Sequence, residues 1–183
     1  MNFSKPTLTD LSLTPAISVV RGGYRGGPLA SIDPRLAKGQ RDLWANLLRS
    51  ALGTQFTNSE ELFLEHTLLV NSAEIIAHLV LGLDVEQLSP ATLLSGDQFT
   101  IAGLHGVVDR DFFDWVLEVP GGDGFISALA RRLARFDWSK VEHDVLKVLY
   151  EEVISAETRK ALGEYYTPDW LANRVVSQVA PIR

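Results

Sequence analysis

Tyr165, Tyr166, Thr167 and Pro168 stand side by side near the end of the chain, inside Gly163-Glu164-Tyr165-Tyr166-Thr167-Pro168. A tyrosine pair, a further hydroxyl and a proline at a helix start suit the grip on a small polar cofactor better than they suit a core. The same residues also have a purely local reading. Thr167 is placed to be an N-cap, its hydroxyl taking an orphan backbone N–H, with Pro168 at the first helical position, where no donor is needed. Asp169 sets negative charge in the first turn, as the helix dipole prefers. Leu171, Val175, Val176 and Val179 recur at helical spacing and predict a helix over 169–179 with one buried face.

Around this element lies a longer pattern. Asp144-Val145-Leu146-Lys147-Val148-Leu149-Tyr150-Glu151-Glu152-Val153-Ile154, followed by Arg159-Lys160-Ala161-Leu162-Gly163-Glu164-Tyr165-Tyr166-Thr167-Pro168-Asp169-Trp170-Leu171-Ala172, closely resembles the lead-in to the adenine-N6 DNA methyltransferases of restriction-modification and phage-defence systems. In that family the tyrosine-tyrosine-threonine-proline element, motif X, lies against S-adenosylmethionine and precedes the cofactor-binding sheet. Leu62-Phe63-Leu64-Glu65-His66-Thr67, Gly96-Asp97-Gln98-Phe99 and Asp111-Phe112-Phe113-Asp114-Trp115 look like the helical region upstream of motif X. The resemblance spans roughly residues 43–180 and is strongest from Asp144 onward.

The family continues beyond motif X into a strand, a glycine-rich cofactor turn and an Asn/Asp-Pro-Pro-aromatic tetrapeptide that holds the target amino group. This sequence contains no Pro-Pro-aromatic run, and its last residues are Pro181-Ile182-Arg183. The resemblance therefore implies the N-terminal part of a larger methyltransferase, with no catalytic residue of its own and no methyl transfer by itself. Tyr165, Tyr166, Thr167 and Pro168 would close one wall of the S-adenosylmethionine pocket, and the following domain would supply the rest. DNA would be bound through the parent protein, its target adenine flipped from the duplex, with a specificity or nuclease subunit as a further partner. The competing reading is a non-enzymatic helical interaction module in which motif X is only a helix cap.

Other residues that could do chemistry read more simply. Gly121-Gly122-Asp123-Gly124 imitates a phosphate-binding turn but lacks the spacing and the lysine of one, so an interhelical loop is expected. The Arg-Gly-Gly units at Arg21 and Arg25 flank Tyr24 as in nucleic-acid-binding tails, yet two copies suit a linker better. His66, His78, His105 and His143 follow no metal-ligand spacing, and no metal is expected. Glu151 and Glu152 read as a solvated face, with Lys147 four residues before Glu151. Arg131, Arg132 and Arg135 are the best candidates for DNA phosphate contact outside the N-terminal arm, against an ordinary exposed helix face.

Composition narrows the classes. There is no cysteine, which removes disulfide frameworks and thiolate metal sites and fits a cytoplasmic protein. The most apolar stretch, 68–83, is interrupted by Asn71, Ser72, Glu74 and His78, so no membrane span is expected. The net charge is −6, and from Ser50 to Asp109 there is no Lys or Arg at all. Since DNA affinity rests largely on cations against phosphates, that middle section is a poor DNA face.

The elements that must position these residues read as helices. Residues 1–37 hold Pro6, Pro15, Pro28 and Pro34 and predict a flexible arm. A helical domain over 38–162 follows, then the motif X segment over 163–183. Leu43, Trp44, Leu47, Leu48, Ala51 and Leu52 share one stripe. Ser59 and its neighbours cap a long helix over 60–83 that is apolar around most of its circumference and belongs mid-bundle. A helix over 125–136 buries Ile126, Leu129, Ala130 and Leu133, and Ser139-Lys140-Val141-Glu142 matches a capping box for the next. The expected fold class is mainly α, an irregular helical bundle with a flexible N-terminal arm.

Overall fold

The computed structural model describes residues 33–52, 57–138, 144–163 and 167–179. It is mainly helical, with no strand among the described residues. A 3₁₀ turn at Pro34–Ala37 runs into α1 (Lys38–Leu52), followed by α2 (Glu60–Val80) and the short α3 (Pro90–Leu93) and α4 (Asp97–Ile101). A 3₁₀ segment, Phe112–Glu118, leads to α5 (Gly122–Leu133), α6 (Val145–Val153), α7 (Ala156–Leu162) and α8 (Asp169–Val179). No described helix is long and apolar enough to cross a membrane.

The helix starts follow from their caps. Ser59 accepts a hydrogen bond from the Leu62 N–H at 3.1 Å, and Glu60 and Glu61 fill the first turn of α2. Ser89 caps α3 through the Thr92 N–H, with Pro90 at the first helical position, and Ser155 caps α7 through the Thr158 N–H. Gly163 ends α7 at φ 71°, the left-handed conformation a side chain would resist.

Helix α2 is the central element, packed against α5, α6 and the 112–118 segment. Its middle is buried on nearly every side, polar residues included: Thr67, Asn71, Ser72 and His78 are wholly inside. One end of the core is aromatic. The Phe63 ring stacks on Trp115 at 5.8 Å and meets Trp44 at 5.2 Å. The indole N–H groups are satisfied, as buried tryptophans require. Trp44 donates to His66 Nδ1, Trp115 to Thr67 Oγ1 and Trp138 to the Leu133 carbonyl.

Several expected details shift. Ala37 is buried in the core as the last residue of a 3₁₀ turn that Asp33 caps, directly ahead of α1. On α1 the buried residues are Trp44 and Ala45, while Leu43 and Leu47 are more than half exposed; the helix packs on the 112–118 segment and sets the Trp44 ring against Phe63 of α2. Helix α5 starts at Gly122, three residues early. A Cβ there would run into the Val116 carbonyl oxygen, so glycine lets the helix start press on the 112–118 segment. Helix α6 opens at Asp144, whose carboxylate accepts from the Lys147 N–H at 2.9 Å. The capping box at 139–142 lies outside the described residues.

Candidate functional site

The element expected to be motif X falls, in sequence, between α7 and α8. Tyr165 and Tyr166 lie outside the described residues, while Thr167 and Pro168 are both exposed. The first helical acceptor of α8 is the Pro168 carbonyl, which takes the N–H of Ala172 at 3.0 Å and that of Leu171 at 2.9 Å. Pro168 thus occupies the cap position and Thr167 precedes it, one residue off the expected register. The predicted buried face of α8 is a larger correction: Leu171, Val175 and Val176 are exposed, Trp170 is 68% exposed, and no described element covers them. The apolar pattern that makes an amphipathic helix is present, but the surface it would pack on is absent from the described residues.

Arg131 and Arg132 lie on α5 in its last turn, while Arg135 follows the helix, which ends at Leu133 rather than at Phe136. Arg131 and Arg135 are exposed and Arg132 is half-buried. Arg131 and Arg132 lie in the last turn of the helix, where cations complement the dipole. That gives them a structural role independent of phosphate. Glu151 is not merely solvated: it pairs with Arg159 of α7 at 3.5 Å, tying α6 to α7. The Arg-Gly-Gly units lie outside the described residues.

A second constellation was not anticipated. A cleft of about 440 Å³ opens between α2, the 107–111 loop and α6. Its walls include Leu69, Val70, Val107, Leu146 and Tyr150, and Glu74 lines it from α2. Glu74 is only 7% exposed, and its Oε2 has no hydrogen-bond partner. Burial pushes its carboxyl up to about 8, with the charges of Asp111 and Asp114 adding to the effect. At neutral pH the group is therefore mainly a carboxylic acid.

The histidines of α2 are core residues. His66 is pushed down to about 4 by burial, and His78 is lowered for the same reason. His78 donates from Nδ1 to the Glu74 carbonyl at 2.8 Å and meets Phe99 edge-on at 4.6 Å. Among the described residues no group of three or more His, Asp or Glu side chains is placed to hold a metal ion. The one signal for the Glu74 cleft in the sequence is a lone acid inside the apolar run of α2. Its neighbours Asp111 and Tyr150 come from distant segments that only the packing of three elements brings together.

No protein-family model, no curated protein and no solved structure matches this chain.

Proposed function

We propose that this chain is the N-terminal helical part of an S-adenosylmethionine-dependent DNA adenine-N6 methyltransferase of a restriction-modification or phage-defence system, acting in the cytoplasm. The observation that carries the proposal is α8: it follows Thr167 and Pro168 directly and leaves Trp170, Leu171, Val175 and Val176 uncovered. An amphipathic helix in this state needs an apolar surface, and a catalytic domain packed there would set the motif X residues beside its cofactor pocket. The bundle built on α2 then serves as the buttress. In that assembly Tyr165, Tyr166, Thr167 and Pro168 form one wall around S-adenosylmethionine. Methyl transfer to the flipped adenine proceeds mainly by positioning the two reactants, and a specificity or nuclease subunit completes the system.

The test is calorimetric titration of S-adenosylmethionine into this chain and into the whole protein encoded by its reading frame, with Tyr166→Ala and Thr167→Ala variants of the latter. Binding by the whole protein alone, weakened at least tenfold by each substitution, is the expected result. No binding by either form overturns the proposal.

A specific observation favours the alternative, a non-enzymatic interaction module. Leu36, Leu43 and Leu47 are each more than half exposed and fall on one side of the turn-and-helix running from Pro34 through α1. Such a stripe is what a helical partner would cover.

A further inference from the structure

The Glu74 cleft has three properties that together define a ligand. Its volume, about 440 Å³, suits a small molecule. Most of its wall is hydrocarbon, from Leu69, Val70 and Ala73 of α2, Val107 of the loop and Leu146 of α6. Its ionisable carboxyl groups, Glu74, Asp109 and Asp111, are all acidic, and no Lys, Arg or His lines it among the described residues. Two cations near it pair with carboxylates that do not line it. Arg110 reaches Asp114 at 3.9 Å, and Arg159 pairs with Glu151 while lying over the Tyr150 ring at 5.9 Å.

An anionic ligand is excluded by that lining. A purely apolar one would leave Glu74 Oε2 buried without a partner, which costs free energy for as long as it stays so. A ligand with an ammonium group at the end of a hydrocarbon body satisfies both the acid and the wall, and its positive charge complements the carboxylates of the lining. We propose that this cleft binds a small hydrophobic primary amine, its ammonium paired with the Glu74 carboxylate and its hydrocarbon chain lying between Val70 and Leu146. None of the described residues that line it belongs to motif X, and the proposal does not rest on the methyltransferase reading.

The pairing has a proton signature. Glu74 faces Asp111 at the end of the loop and Asp114 of the 112–118 segment, with Asp109 and Tyr150 also on the cleft and His78 one turn along α2. Burial, and after it the charges of Asp111 and Asp114, raise the cost of ionising Glu74, so it is mainly protonated at pH 7, and an arriving ammonium displaces that proton to solvent.

The experiment titrates n-hexylamine, 1-hexanol, hexanoate and Nα-acetyl-lysine amide into the chain at pH 7, followed by calorimetry in two buffers of different ionisation enthalpy and by methyl-group NMR. Expected are hexylamine binding at least tenfold tighter than hexanol, none by hexanoate, release of a substantial fraction of one proton, and shifts at Leu69, Val70 and Leu146. Glu74→Gln, which keeps the shape of the side chain, abolishes the preference of amine over alcohol and the proton release. Asp109→Asn, at an exposed position, weakens amine binding only a few-fold. Hexanol binding as tightly as hexylamine, an amine preference that survives Glu74→Gln, or no hexylamine binding at millimolar concentration each overturns the proposal. Equal binding of the lysine amide overturns the assignment to a small amine in favour of a lysine side chain of a protein.

Discussion

Glu74 and His66 give the protein a pH dependence that can be worked out group by group. Glu74 is raised from 4.5 to about 8, first by burial and then by Asp111 and Asp114. Between those values the folded state holds a proton that the unfolded chain has lost. The contribution of Glu74 to stability is therefore complete below pH 4.5 and is lost as pH rises to 8. His66 runs the other way: it is lowered from 6.5 to about 4 by burial, so its contribution is complete above pH 6.5 and is lost as pH falls towards 4. In the range where both titrate the slopes oppose, and from pH 6.5 to 8 Glu74 acts without His66. Stability should fall by roughly 2 kcal/mol across that last interval, about 1.4 kcal/mol per pH unit. Urea unfolding at a series of pH values checks this. Glu74→Gln, neutral throughout, should remove the decline and be the more stable protein at pH 8, with little difference at pH 4. A variant declining as steeply as the parent would show that Glu74 is not the group responsible. Glu74 itself was visible in the sequence as a break in an apolar run, but its significance was not, because the desolvation comes from α6 and the 107–111 loop.

At the scale of elements, α8 differs from the rest of the bundle. An eleven-residue helix is marginal in water without tertiary packing, and every described side chain from Trp170 to Gln178 is exposed. Helix α2, by contrast, is buried along most of its length. Hydrogen exchange followed by mass spectrometry should show α8 amides exchanging at least a hundredfold faster than those in the middle of α2, since local opening costs little where few apolar contacts are lost. Equal protection in a monomeric sample would mean that the apolar face of α8 is covered, and would remove the support it lends to the proposed function. Helices were the most legible part of this fold. Ser59 and its neighbours marked the start of α2, and the expected span over 60–83 overran its end at Val80 by three residues, past Gly82 at φ 77°. Which face of a helix is buried was less legible. Periodicity alone put Leu43 and Leu47 inwards on α1, yet the partner α2 offers Phe63 and His66, and the ring of Trp44 meets both. Periodicity likewise gave α8 a core face, which requires a surface that the pattern itself cannot supply.

Over the whole molecule the charge distribution limits how the chain can meet DNA. Its net charge is −6, and α2, α3 and α4 carry no Lys or Arg. The candidate cations for a phosphate backbone are Arg131 and Arg132 in the last turn of α5 and Arg135 just after it, and Arg131 and Arg132 also complement the C-terminal dipole of that helix. The Tyr165-Tyr166-Thr167-Pro168 element stands out as a sequence pattern, while its role depends on surroundings beyond a local pattern. A cap and an amphipathic helix are local features, whereas a cofactor pocket needs walls from several segments, and the described residues place only Thr167 and Pro168, both facing solvent. If the three arginines do contact DNA, they neutralise at most about three phosphates, and the slope of log K against log salt should be no steeper than about −2.7. Fluorescence anisotropy with a labelled duplex, run from 20 to about 200 mM salt, measures that slope directly. The expected behaviour is weak binding by this chain, with a slope that becomes shallower by at least one unit in the Arg131→Ala/Arg135→Ala double variant. If the slope is unchanged in the double variant, these arginines serve the helix rather than DNA. In that case the DNA-binding surface of the proposed methyltransferase has to lie on other parts of the assembly.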